Sequence, residues 1–235
     1  MSSARTDISV HFDEARAEVY DDQFAAMRAL KDCIHLLLEA HFASLPEDAR
    51  ILVAGAGTGA EARYLAPRFP KWRFTLIDPS APMLAVARRH AQAEGFADRC
   101  TFHADYVSGT PLETHDAATS LLVSHFLTEA PARQAYFADI AARLKPGGKL
   151  FTVDLCTDDD APNFAGVMSL WMELLALAGQ TPESRANYLK SYGRDFAAHG
   201  PAEVARMIEA AGFTPPAPIF QAALIRGWTA QKAHS

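Results

Sequence analysis

Cysteine is scarce: three residues in 235, Cys33, Cys100 and Cys156, far apart and odd in number. There is no CxxC pair and no Cys/His ligand spacing, which argues against a disulfide framework and against a structural metal. Cys100 at a strand start and Cys156 at a strand end read as small core residues. Long apolar runs are missing too, and the opening MSSARTDISV has no apolar signal core. The expectation is therefore a cytoplasmic chain with no membrane partner. Positive charge is in deficit, with 22 Lys and Arg against 28 Asp and Glu and a net charge of −6. That removes a global basic field able to coat a nucleic-acid duplex, while leaving room for a local patch on an RNA. Internal repeats and low-complexity tracts are absent as well.

Apolar residues make up 49% of the chain, enough for the packed core of one α/β domain with additions. The stretch Ile51 to Ala62, ILVAGAGTGAEA, organises the rest. Ile51-Leu52-Val53-Ala54 reads as a buried strand and stops at Gly55-Ala56-Gly57-Thr58-Gly59, where a helical pattern begins near Thr58. Glycines at every second position permit a sharp turn and close passage of a ligand. The free N–H groups of a helix start point back at that turn. Asp78 follows Gly59 by 19 residues at the end of a second apolar strand, Trp72 to Ile77. An acid at about that distance, roughly 20 residues, grips ribose hydroxyls in dinucleotide sites.

A helix is expected from about Arg16, with Met27, Leu30, Ile34, Leu37, Leu38 and His41 on one face. After the glycine strand the chain alternates. A helix over 58–68 leads to strand 72–77, then a helix from the N-cap Ser80 to Glu94 with Gly95 as its stop. Strands follow at 100–104 and 117–124, a helix at 131–144, and a break at Lys145-Pro146-Gly147-Gly148 before strand 149–155. This rhythm predicts a parallel, doubly wound sheet. It is interrupted by a loop at 157–162, an apolar helix from Phe164 to Ala178 and a second helix over 182–198. Gly200-Pro201 opens a further helix, and strands 217–223 and 224–230 are joined too tightly for a crossover, so they should be antiparallel. The expected divisions are a helical cap at 1–45, a cofactor-binding core at 46–156, a helical insert or lid at 157–199, and a closing helix and strand pair at 200–235.

Four stretches together, GAGTG at 55–59, LIDPSAPML at 76–84, FHADYV at 102–107 and LKPGGKL at 144–150, resemble the class I S-adenosylmethionine-dependent methyltransferases. The resemblance implies a Rossmann-like seven-stranded sheet with the last strand antiparallel, S-adenosyl-L-methionine as cofactor and S-adenosylhomocysteine as product. The opening FDEARAEVYDDQF, the stretch 126–148, the insert and the AAGF ending are similar to the branch containing carboxy-S-adenosylmethionine synthases of tRNA wobble-uridine modification. That branch clamps an extra carboxylate with an arginine from the insert, where this chain offers Arg185, Lys190 and Arg194. The expected acceptor is a small molecule, with tRNA the lesser alternative. A nicotinamide-dependent oxidoreductase is the rival reading of the glycine turn.

The resemblance implies roles residue by residue. Gly55, Ala56 and Gly57 would carry the methionine half, and Asp78 both ribose hydroxyls. Pro79 and Met83 would pack on the adenine, Asp105 would accept from its exocyclic amine, and the Tyr106 main-chain N–H would point at the ring. Tyr20, with Phe12, belongs to the aromatic part of a cap that closes over the cofactor. Ser124 and His125, just past the buried fourth strand, would lie beside the reactive methyl. His125 is either a base for an acceptor N–H or O–H or a polar residue satisfied at a strand end. The acid usual two residues before the first glycine is replaced by Val53, leaving Glu61 or a main-chain carbonyl to hold the cofactor's amino group. No metal site is expected. The apolar helix from Phe164 to Leu177 makes a homodimer an expectation as well.

Overall fold

The computed structural model describes residues 27–157 and 161–234; Tyr20 and Phe12 lie outside the described residues. The chain runs α1 (Arg28–Phe42), β1 (Arg50–Ala54), α2 (Ala60–Leu65), β2 (Arg73–Ile77), α3 (Ala81–Ala93), β3 (Cys100–His103), β4 (His115–Leu121), α4 (Ala130–Ala142) and β5 (Leu144–Leu155). It continues through α5 (Phe164–Leu177), α6 (Pro182–Ser191), α7 (Pro201–Ala210), β6 (Ala217–Ala222) and β7 (Ile225–Gln231). The strands form one seven-stranded sheet in the order β3-β2-β1-β4-β5-β7-β6. Pairings from β3 through β5 are parallel, and β7 runs antiparallel between β5 and β6.

The sheet is covered on both faces because its central strands are apolar on both. Along β1, Ile51 and Val53 enter one core with Phe42, Leu65, Trp72 and Phe74. Leu52 and Ala54 enter the other with Phe137, Ile140, Ile208 and Trp228. This is the two-residue alternation of a strand buried on both sides. On α1 the buried residues Ile34, Leu38 and Phe42 recur every fourth position, with His35 beside them. Chain order reverses between β1 and β4, so the carboxyl ends of these two strands open a crevice where such sheets take their ligands.

Several boundaries differ from the sequence expectation. The first crossover helix starts at Ala60 rather than Thr58, because Gly59 is left-handed (φ 82°). A Cβ on Gly59 would come within 3.2 Å of Ala87 on α3, so this glycine also lets two helices approach. Lys145 to Gly148 belong to β5 rather than to a break before it, and Leu144 opens this strand rather than closing the preceding helix. The helix after Pro182 stops at Ser191, since Tyr192 is extended and Gly193 has φ 76°.

Candidate active site

The glycine turn hangs from the neighbouring strand. The N–H groups of Gly55 and Ala56 both donate to the Ile77 carbonyl, at 2.8 and 2.9 Å. These two amides are therefore taken within the protein. Gly55 (φ 74°) also faces Val123, whose methyls any Cβ there would overlap, so that glycine is required by packing. The cradle opens at Gly57 (φ 52°), where a Cβ would meet nothing nearer than Met83 Cε at 3.7 Å.

Asp78, directly after β2, closes the turn from the side. Its Oδ2 accepts the Gly57 N–H and its Oδ1 accepts the Ser80 N–H, each at 2.8 Å. Each carboxylate oxygen retains further acceptor capacity. Burial raises the pKa of Asp78, against the opposing pull of these two amides. Ser80 is the N-cap of α3 through its own hydroxyl, which accepts the Met83 N–H at 3.3 Å. Met83 is buried, and Pro79 beside Asp78 is half-buried.

Hydrogen bonds within the protein engage two of the expected site residues. The Tyr106 N–H does not point at open space; it donates to Asp105 Oδ1 at 2.7 Å, and the Asp105 carboxylate lies over Gly109. Asp105 itself is exposed past the end of β3. Ser124 is buried, and its hydroxyl donates to Asp154 Oδ2 at 2.6 Å.

Asp154 is the site residue that sequence reading missed. It is fully buried near the end of β5 and gathers donors from three directions. The His125 main-chain N–H and ring Nδ1 approach Oδ1 at 3.0 and 3.2 Å. Thr152 Oγ1 lies 3.3 Å from Oδ2. Arg133, fully buried on α4, donates through Nε to Ser124 Oγ at 2.9 Å. Its Nη2 stands 3.4 Å from Asp154 Oδ2 and makes no hydrogen bond of good geometry, so that link is electrostatic. Burial alone would raise the Asp154 pKa, but Arg133, His125 and Ser124 overcome it and hold the carboxyl below its ordinary value. A carboxylate can only accept, so His125 Nδ1 carries the ring proton and Nε2 the lone pair. Burial lowers the His125 pKa despite Asp154, keeping the ring neutral near pH 7. The available signal was a lone acid in the apolar strand KLFTVDL and a lone arginine on the inward face of α4, both rare inside unless paired.

The cluster also anchors the insert. The Ala197 N–H donates to the His125 carbonyl at 2.8 Å and the Thr157 N–H to the His199 carbonyl at 3.1 Å. Arg133 Nη1 lies 3.4 Å from His199 Nδ1. Phe196 stands edge-on to the His125 ring and continues into Tyr188 and Tyr192. Of the insert cations, Lys190 lies 3.5 Å from Asn187 Oδ1 and Arg194 pairs with Asp195, both at exposed positions. Arg185 Nη1 reaches the Met172 carbonyl at 3.4 Å, within the insert. The Arg185 Nε is buried and has no hydrogen-bond partner among the described residues.

Carboxylates act through space on a buried hydroxyl near the glycine turn. The Tyr136 hydroxyl, 2.9 Å from Ser120 Oγ and 3.4 Å from the Ala54 carbonyl, has its pKa raised first by burial and then by the charges of Asp154, Asp78 and Glu61. An open glycine cradle beside the Asp78 carboxylate fits a ligand that joins a nucleoside to an amino-acid chain.

A parallel sheet closed by one antiparallel strand slotted beside β5, with a glycine turn after β1 and an acid after β2, defines the class I methyltransferase fold. Residues 51–148 match the family model of a methyltransferase domain. A release factor glutamine methyltransferase of Chlorobaculum tepidum is 42% identical over 76 residues, 32% of this chain and 26% of that one. A candidate O-methyltransferase structure from Nostoc punctiforme superposes with a TM-score of 0.66 at 19% identity, over 93% of this chain and 60% of that one. The mitomycin 7-O-methyltransferase gives 0.64 at 21% identity, over 95% and 59%. The chain thus spans about a quarter of the matching curated relative and about three fifths of these solved structures.

Proposed function

We propose that the protein transfers a methyl group from S-adenosylmethionine to a hydroxyl or amine of a small molecule, releasing S-adenosylhomocysteine. The observation carrying this reading is the Asp154–His125 pair beside the crevice at the end of β4. When bound, the cofactor supplies a methyl group already activated on a sulfonium leaving group. The residues that would hold it are Gly57 with its open face, Asp78 for the ribose, Met83 and Pro79 toward the base, and Asp105 at the outer edge.

His125 then acts as the base. Asp154 fixes its tautomer, leaving Nε2 to take the proton of an acceptor O–H or N–H as the new bond forms. Asp154 and Arg133 are positioning residues, because they act through His125 and Ser124. The aromatic side of the insert, Phe196, Tyr188 and Tyr192, would exclude water from the acceptor. The small-molecule acceptor is supported by the two O-methyltransferase folds above. Carboxy-S-adenosylmethionine synthesis is the lesser reading, since Lys190 and Arg194 are held in exposed contacts within the insert. Self-association through α5 belongs to the same proposal, since Leu170 and Leu177 stand 55% and 78% exposed one heptad apart. Light scattering reads it directly.

The test is calorimetric titration with S-adenosylhomocysteine and with NADH, followed by turnover of methyl-labelled S-adenosylmethionine against a panel of phenols, alcohols and amines. Binding of the thioether nucleoside, none of NADH, and turnover lost in His125→Asn with binding retained are expected. Silence toward the thioether nucleoside would overturn the reading.

A further inference from the structure

The exit of the insert meets the Asp154 cluster through a side chain to which the chemistry above gives no part. His199 stands just before α7 and is 5% exposed. Its carbonyl accepts the Thr157 N–H at 3.1 Å, which ties the two ends of the insert together. Its ring Nδ1 lies 3.4 Å from Arg133 Nη1. Two residues earlier, Ala197 is fully buried with φ 55° and gives its N–H to the His125 carbonyl at 2.8 Å. A left-handed backbone is unfavourable for residues other than glycine, so this segment is held against its own preference by what it docks on.

Hydrogen-bond direction is fixed from both ends of the cluster. A guanidinium can only donate and a carboxylate can only accept. Arg133 Nε donates to Ser124 Oγ at 2.9 Å, which leaves the Ser124 hydroxyl to donate to Asp154 Oδ2 at 2.6 Å. His125 Nδ1 gives its proton to Asp154 Oδ1 at 3.2 Å. Arg133 Nη1 must likewise donate, so His199 Nδ1 is a bare acceptor and the ring proton sits on Nε2. Arg133 Nη2 has no hydrogen-bond partner among the described residues. Burial first, then the charge of Arg133, lowers the His199 pKa, against the opposing pull of Glu203 on α7 and Glu129 before α4. The rings at the two ends of this network therefore carry opposite tautomers.

We propose that His199 is a positioning residue for His125: its Nδ1 holds the Arg133 guanidinium against Ser124 and Asp154, so that the base keeps one tautomer only with the insert docked. Without that acceptor, Nη1 and Nη2 are both unmet in the interior, and leaving buried donors unmet is unfavourable. The guanidinium then turns onto Asp154 and competes with the His125 ring for the carboxylate oxygens. His199 acts through Arg133 and is not itself a catalytic residue. That His125 serves as a base rests on the function proposed above, whereas the tautomers do not.

Nitrogen NMR of isotopically labelled histidine rings in the full chain reads these tautomers without cofactor or acceptor. Difference spectra with His125→Asn and His199→Gln assign the two rings. In wild type at neutral pH, His125 should show a protonated Nδ1 and a bare Nε2, and His199 the reverse. In His199→Leu the single His125 tautomer should be lost to a mixture. In His199→Gln, whose side-chain oxygen can accept from Arg133, it should return. A His199 ring with its proton on Nδ1 overturns the proposal, even if His199→Leu fails to fold. So does an unchanged His125 signature in a folded His199→Leu, which is what a merely structural His199 would give. Silence of wild type toward S-adenosylhomocysteine would overturn the cofactor reading alone, since the tautomers are measured in its absence.

Discussion

Asp78 Oδ2 lies 2.8 Å from the Gly57 nitrogen, so the carboxylate after the second strand is tied to the turn after the first. A single side chain therefore shapes the cradle and presents the acceptor oxygens beside it. Substitution should disturb both. Asp78→Ala is expected to weaken S-adenosylhomocysteine binding by about 1–3 kcal/mol and to lower stability by a comparable amount, because two amides lose their acceptor. Calorimetry and denaturant unfolding of the same sample check the two effects. Unchanged affinity would remove the ribose assignment.

The glycines on either side of Ala56 should respond differently. At Gly57 a Cβ has room but the backbone is left-handed, so Gly57→Val costs strain of about 1–2 kcal/mol and fills the cradle. The expected product is a folded chain that no longer binds S-adenosylhomocysteine. Gly55→Ala collides with Val123 and should lower the melting temperature further than Gly57→Ala does. Thermal melts of the two alanine variants test the ranking.

Asp154 and Arg133 are both fully buried, so removing one strands the other. Asp154→Ala should cost roughly 3–5 kcal/mol. Replacing the pair together, Asp154→Leu with Arg133→Met, should recover much of that loss while leaving His125 without its anchor. Urea denaturation of the single and double variants measures the difference. A double variant no more stable than Asp154→Ala would contradict the pairing.

Stability should fall with acidification as a buried histidine is forced to take a proton. His35 is buried against Tyr64, and burial, followed by the charge of Lys31, lowers its pKa from 6.5 to about 4. Between those values the unfolded chain takes the proton and the folded chain does not. The contribution is complete above 6.5 and lost as pH falls toward 4, up to roughly 3 kcal/mol. His35→Phe should flatten that part of the stability–pH curve, which denaturant unfolding at a series of pH values records.

The parts written in contiguous sequence were legible. Ile51–Ala54 had to be a doubly buried strand, the glycines after it had to turn, and the short link between the last two strands had to make them antiparallel. Asp78 was marked by its distance from that turn. These follow from local pattern, where side-chain period and backbone freedom leave few options. The charged interior was not legible, since it is assembled across crossovers. Arg133 comes from α4, Asp154 from β5, His199 from the exit of the insert and Ser124 from the end of β4. Tertiary structure alone decided that the Ser124 hydroxyl meets Asp154 and that Tyr106 spends its N–H on Asp105. The physical reason is that a polar group's fate is set by whichever donor or acceptor the folded sheet brings within about 3 Å, and sequence spacing does not encode that neighbour.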